Sequence, residues 1–212
     1  MSVTYEDVGR WIEGFASEMA ANKQSLTRLD SAIGDGDHGT NMDRGMRAAL
    51  ERMEAMEGRD IGALLKGVGM ALVSKVGGAA GPLYGTFFMQ LGVGAAGKEE
   101  LTAQEWAAAW DTAVKGVQTR GKAELDDKTM VDALAPARDA LARAVDEGVS
   151  LGDAVARAAS AAEDGMKATV PLVARKGRAS YLGERSAGHQ DPGATSSYLL
   201  VKTAAAVLGG EG

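Results

Sequence analysis

Apolar residues recur three and four positions apart along most of the chain, the spacing that places them on one face of a helix. Val8, Ile12, Phe15 and Met19 mark a first helix behind a Thr4 cap. Met42, Met46, Leu50 and Met53 mark a second, and Ile61, Leu65, Val68, Leu72 and Val76 a third. The fourth starts at Pro82, a favoured first helical position, and carries Leu83, Phe87 and Leu91. The fifth has a full entry signature: Thr102 caps, Glu105 closes the capping box, and Leu101 and Trp106 form a hydrophobic staple. The sixth carries Val131, Leu134, Leu141 and Val145. The seventh begins at Ser150 with Asp153 three later and continues through Leu151, Val155 and Ala158. The eighth has Asp191 as cap and Pro192 next, then Leu199, Leu200 and Val207. No alternating strand pattern competes. The pattern predicts an all-α single domain of eight amphipathic helices, each about 15–20 residues and roughly 25–30 Å long.

Consecutive helices with short connections pack antiparallel. The second, fourth, sixth and eighth helices therefore start at one end. The opposite end carries the bland turns near Gly58, Gly97 and Gly148. Every unusual stretch falls at the shared end: the run from Leu29 to Asn41, the glycines from Gly77 to Gly81, the segment from Thr119 to Met130, and the long loop from Ala174 to Gly193. Helix N-termini aimed at one place make a positive field suited to phosphate.

The run from Leu29 to Asn41 holds Asp30, Asp35 and Asp37 with Gly34, Gly36 and Gly39 among them. Crowded carboxylates repel, and a hard divalent cation with its demand for oxygen ligands is a reason to gather them. The glycines turn the backbone into a helix start whose first amides are free for an anion. Together they suggest Mg²⁺ holding a polyphosphate. Plain turn and cap chemistry is the bland alternative, and an EF-hand is disfavoured because its terminal Glu is missing.

His38 reads as a general base or as a hydrogen-bond donor to phosphate or loop, and His189 reads the same two ways. The 77–81 glycines suit either a flexible turn or close backbone approach to a pyrophosphate. They are neither a Walker A loop nor a dinucleotide fingerprint. Arg175, Lys176, Arg178 and Arg185 form a solvated face or a phosphate clamp. No arrangement supports a covalent nucleophile, so no catalytic side chain is assigned.

Composition narrows the class. At 212 residues one domain is expected. With no Cys, disulfides, zinc thiolates and thiol catalysis are excluded. A net charge of -6 without a basic patch argues against nucleic acid. The acidic N-terminus is unlike a signal peptide, and no apolar stretch spans a bilayer. A cytoplasmic location is expected.

The chain resembles the nucleotide-binding L subunits of bacterial dihydroxyacetone kinases. The resemblance is carried by Gly34-Asp35-Gly36-Asp37-His38-Gly39, by the run from Gly77 to Thr86, by Arg120-Gly121-Lys122-Ala123, by Asp127-Lys128-Thr129-Met130, by the run from Ala174 to Ser186, and by the run from Gly188 to Ala194. It implies eight antiparallel helices closed as a barrel, one L-type domain over residues 1–212, and a nucleotide at one end. By the same resemblance Asp30, Asp35 and Asp37 are ligands of two Mg²⁺ ions bridging the phosphates of ADP or ATP. His38, Gly39, Thr40 and Asn41, with Ala79 and Ala80, form the phosphate cradle. Gly121 and Met130 flank the base, and Arg178, Asp191, Pro192 and Gly193 close over the nucleotide. The family commonly has Ser where this chain has Ala80, so one hydroxyl contact is lost there.

Two chemistries occur among such proteins. In one, ATP is consumed by a chain that also carries the dihydroxyacetone-binding domain. In the other, ADP is a resident coenzyme, charged by a phosphohistidine-carrying M subunit and discharged to dihydroxyacetone on a K subunit. A chain ending at Gly212 without a second domain points to the second. The alternatives are a subunit of an ATP-consuming kinase, and a nucleotide-sensing module that reports to a transcriptional regulator.

Overall fold

The amphipathic runs fold as helices, and those that begin behind Thr4, Asp60, Thr102, Ser150 and Asp191 start where the sequence changes from a capping residue to the helical stripe. The computed structural model describes residues 2–210. Its helices are α1 (Tyr5–Ala21), α2 (Lys23–Ile33), α3 (His38–Glu54), α4 (Ile61–Lys75), α5 (Ala80–Gly94), α6 (Ala103–Gly121), α7 (Val131–Asp146), α8 (Leu151–Ala168) and α9 (Pro192–Leu208). A 3₁₀ segment, Arg178–Ser186, lies between α8 and α9. Among the described residues no helix is long and apolar enough to cross a membrane.

The expected count of eight is therefore corrected to nine α-helices among the described residues. The additional one is α2. Asn22, at φ -95° and ψ 5°, ends α1 and starts α2, and its backbone N–H returns to the carbonyls of Glu18 and Ala20. The buried face of α2 is Leu26, Asp30 and Ile33. That face has helical spacing, but its middle member is a carboxylate, so a search for apolar residues passes over it. Two further departures are small. Val3–Thr4 (β1) pairs antiparallel with Glu100–Leu101 (β2), in a ladder too short for alternation to register. The long loop before α9 is partly 3₁₀, broken at Gly183 where φ is 55°.

From α3 to α9 each helix packs on its successor, α9 packs on α1, and α1 packs on α3. α2 lies beside α3 and touches α9 and the 3₁₀ segment. The interior is aromatic at its centre: Trp11, Phe87, Phe88, Trp106 and Trp110 meet with ring centroids 5.2 to 6.0 Å apart. α4 and α5 approach along glycines, since a Cβ on Gly69 would stand 2.8 Å from the Gly85 carbonyl oxygen. α7 and α8 use a different device. Pro136 has no N–H for the Asp132 carbonyl, and Gly165 of α8 comes so near that a Cβ there would lie 2.0 Å from that oxygen.

The two ends are chemically unlike. At one, the backbone N–H groups of Tyr5 and Ile61 donate to the carbonyls of Glu99 and Lys98, gathering the starts of α1 and α4 onto the α5–β2 connection that leads to α6. Those helices and α8 are capped by side chains: Thr4, Asp60, Thr102 and Ser150 each accept from first-turn amides. The Thr4 cap is a full capping box closed by Asp7. At the other end α3 and α5 start at Asp37 and Ala79, whose side chains make no cap bond, whereas the first amide of α7 donates to Thr129 Oγ1 at 3.1 Å.

Candidate functional site

Uncapped helix starts leave amide donors unpaired, and an anion is the usual partner. The starts of α3, α5, α7 and α9 surround a cavity of about 370 Å³. This is the convergence expected from helix alternation. Asp30, Asp35, Asp37, His38, Asn41, Ala79, Ala80, Gly121, Met130, Arg178, Asp191, Pro192 and Gly193 all line it. Gly39 and Thr40 do not. Gly39 is buried against α2 and Thr40 is exposed, so what they offer is the backbone of the first α3 turn.

The three aspartates are brought together, though not as one loop. Asp30 stands in the last turn of α2 and is 8% exposed, Asp35 lies in the connection, and Asp37 is the residue before α3. One ligand oxygen from each falls within 4.8 Å of the others, a spacing that fits a shared hard cation. Asp30 also has a structural task. Its Oδ2 accepts the backbone N–H groups of Asp37 at 2.8 Å and His38 at 3.1 Å, fixing the α2–α3 corner. Arg178 Nε donates to Asp35 Oδ2 at 2.9 Å, so the 3₁₀ segment begins on the carboxylate cluster.

His38 is tied across the site. Its Nε2 lies 2.9 Å from Ser196 Oγ, and Ser196 Oγ lies 2.7 Å from the Tyr84 hydroxyl. Ser196 also donates to the Gly193 carbonyl at 3.1 Å. Burial lowers the His38 pKa, outweighing Asp30 and Asp37, which raise it. Burial lifts the Tyr84 hydroxyl to about 12. The serine positions the imidazole at the cavity wall.

Several wall residues carried no clear sequence signal. Leu83, Val117, Ala123 and Val131 make an apolar slot beside Gly121 and Met130. Their helical spacing marks them only as interior. Arg120 and Lys176 add cations. Of the four basic residues in the long loop, Lys176 and Arg178 line the cavity, whereas Arg175 and Arg185 are exposed and stand off its wall. His189 is exposed and also absent from the wall.

Asp191 caps α9, its Oδ2 accepting the Ala194 N–H at 2.7 Å. Burial nonetheless pushes its carboxyl up to about 7, against that bond and the nearby Lys128. The folded chain then holds a proton that an unfolded chain releases above about pH 4. Ligand-free stability should therefore fall as pH rises from about 4 to 7, by up to about 1.4 kcal/mol per pH unit from this group. Asp191→Asn removes that contribution. Urea midpoints from about pH 5 to about pH 8 check this, and equal slopes in variant and wild type would refute it.

The DAK2 domain family matches residues 32–206. The chain is 42% identical over 202 residues to the ADP-binding subunit DhaL of the PEP-dependent dihydroxyacetone kinase of Escherichia coli (strain K12), covering 95% of this chain and 96% of that protein. It is 44% identical over 191 residues to the ADP-binding subunit DhaL of PEP-dependent dihydroxyacetone kinase 1 of Listeria innocua serovar 6a, covering 90% of each. Among solved structures, the dihydroxyacetone kinase from C. freundii in complex with AMP-PNP and Mg²⁺ matches with a TM-score of 0.70 at 23% identity. That match covers 94% of this chain and 33% of the kinase chain, and at such identity it carries the fold alone. Matched through the segment that holds Asp35 and Asp37, the uncapped helix starts and the basic arm, this chain belongs to the DAK2 domain family.

Proposed function

We propose that this chain is the nucleotide-holding subunit of a dihydroxyacetone kinase, a phosphotransferase acting on an alcohol group. ADP serves it as a resident coenzyme. The observation that carries this reading is the pairing of the Asp30, Asp35 and Asp37 cluster with uncapped starts of α3 and α5 around one cavity. Cation-collecting and anion-collecting groups meet there, as a metal polyphosphate requires. The ring of packed helices is read as a closed barrel, and residues 1–212 as one L-type nucleotide domain.

Asp30, Asp35 and Asp37 would hold two Mg²⁺ ions, whose chemistry is to neutralise and align the phosphates. Gly39 and Thr40 would donate backbone N–H groups to the phosphates, with His38 and Asn41 at their side. Ala79 and Ala80 would do the same from α5, where Ala80 contributes its amide and no hydroxyl. Gly121 and Met130 would flank the base in the apolar slot. Arg178 would exchange Asp35 for a phosphate oxygen, and Asp191, Pro192 and Gly193 would close the remaining side. No side chain of this chain becomes covalently modified. The phosphoryl group passes from a phosphohistidine on the M subunit to ADP, and from the resulting ATP to a hydroxyl of dihydroxyacetone on the K subunit, regenerating ADP. All of this belongs to a cytoplasmic assembly.

Reconstitution with the K subunit and dihydroxyacetone tests the reading. Phosphoenolpyruvate with the phosphotransferase proteins should sustain many turnovers per bound ADP, and excess ATP alone should give little beyond one. Sustained turnover on ATP alone would assign an ATP-consuming kinase instead. No dihydroxyacetone phosphate from either donor would leave a nucleotide sensor that reports to a transcriptional regulator.

A further inference from the structure

A lysine ammonium carries three donors and a full charge, and burying it is costly unless each donor is met. Lys128 is 1% exposed. Its Nζ lies 2.7 Å from the Thr169 carbonyl, 3.0 Å from that of Leu172 and 2.5 Å from that of His189, with Val170 at 3.4 Å. No carboxylate pairs with it among the described ion pairs; Asp191 and Asp132 act on it only at longer range. Thr169 is the C-cap of α8, so the cation sits where that helix presents its negative end.

The four carbonyls belong to one stretch of chain, and Lys128 to another. Lys128 stands two residues before Met130, on the base side of the cavity. His189 stands two residues before Asp191, on the adjoining wall, where a Cβ on Gly193 would lie 3.5 Å from the Met130 nitrogen, and Leu172 lies at the root of the arm bearing Arg178. Neighbouring bonds run the same way: Arg175 N–H donates to the Asp127 carbonyl at 3.1 Å, and Asp191 N–H to Thr169 Oγ1 at 3.1 Å. The backbone at Asp126 and Lys128 is left-handed, φ 66° and 62°, a conformation non-glycine residues adopt at a cost. Asp132 holds it there, accepting the N–H groups of Asp126 and Thr129 at 2.6 Å each. Neither that strain nor a buried cation is needed to close the aromatic core, which lies elsewhere.

We infer that Lys128 is a positioning residue: its ammonium, bonded to the carbonyls of Thr169, Leu172 and His189, holds the base wall and the Asp191–Gly193 wall of the cavity in register. The role rests on the nucleotide reading of the cavity. It leaves most of the phosphate side independent, because Asp30, Asp35, Asp37 and the starts of α3 and α5 stand on other elements; Arg178, on the arm rooted near Leu172, is the shared group.

The experiment is calorimetric titration of wild type, Lys128→Ala and Lys128→Met, well below each protein's melting midpoint, with Mg-ADP and separately with Mg-pyrophosphate. Lys128→Met keeps most of the buried volume and drops the charge, so it is read if Lys128→Ala does not fold. The expected result is a loss of Mg-ADP affinity of at least about tenfold with a clearly smaller loss of pyrophosphate affinity, limited to what Arg178 contributes. Added n-propylammonium, which supplies the missing atoms, should recover ADP affinity in Lys128→Ala. Unchanged Mg-ADP affinity in a folded variant overturns the role. An equal loss of both ligands without amine recovery also overturns it, because that is general loosening. If wild type binds neither ligand, the nucleotide reading fails and this role fails with it; if wild type binds both, a failure in the variants falls on Lys128 alone.

Discussion

Asp35→Asn and Asp37→Asn should each weaken Mg-nucleotide binding by at least about tenfold, at about 1.4 kcal/mol per decade. Each removes one charge from a cluster whose ligand oxygens share a 4.8 Å neighbourhood. The ligand-free proteins should respond in the other direction. Without a cation the carboxylates repel, so Asp37→Asn should melt no lower than wild type. Asp35→Asn gives up only its exposed pair with Arg178, and such pairs contribute about 0–1 kcal/mol. Asp30 differs because its Oδ2 also accepts two amides of the α2–α3 corner. Asp30→Ala should therefore lose affinity and stability together. Titration calorimetry with Mg-ADP and thermal melts without ligand separate the cases. Wild-type affinity in both the Asp35 and Asp37 variants would remove the metal site.

Gly39→Ala should lower stability by about 3 kcal/mol, the upper part of the usual overpacking range. The new Cβ would lie 2.0 Å from the Lys23 carbonyl oxygen and 2.7 Å from Thr27 Oγ1. Backbone cannot yield as a flexible side chain does, so α3 must move off α2. For a chain of this length that corresponds to a fall of roughly 6–12 °C in melting midpoint. The displacement also separates Asp30 from the amides it holds, so Mg-ADP affinity should fall as well. Gly9→Ala is the matched control. Gly9 lies within α1 with nothing within 4 Å of its would-be Cβ. The same exchange there should stabilise by up to about 1 kcal/mol through helix propensity. A Gly39→Ala protein that melts with wild type would show that α2 and α3 are not in the contact described.

Much of the site was legible because its chemistry is local. Asp35, Asp37 and His38 sit beside glycines at a helix start, and that pattern needs no distant partner to be noticed. The 77–81 glycines were visible for the same reason. Asp30 was read correctly as part of the cluster but placed on a loop, because α2 buries a carboxylate in its apolar stripe. The basic run from Arg175 to Arg185 divided in a way that composition does not encode. Lys176 and Arg178, just before and at the start of the 3₁₀ segment, line the cavity, while Arg175 and Arg185 stay outside. Lys128 stands in a segment that carries the family resemblance, but no role for it was legible, because its carbonyl partners begin 41 residues later in the chain.

By itself the sequence determined the helical class, the Thr4, Thr102 and Ser150 caps at the far end, and the collection of unusual segments at the near one. Helical periodicity and capping are interactions over three or four residues, and alternation of direction follows from short connections. The tertiary structure alone decided which carbonyls receive the Lys128 ammonium, which serine holds His38, and how near α2 comes to Gly39. Those contacts join residues far apart in the chain. Their distances are set by how whole helices pack, and an ångström of helix displacement that leaves every local pattern intact would abolish them.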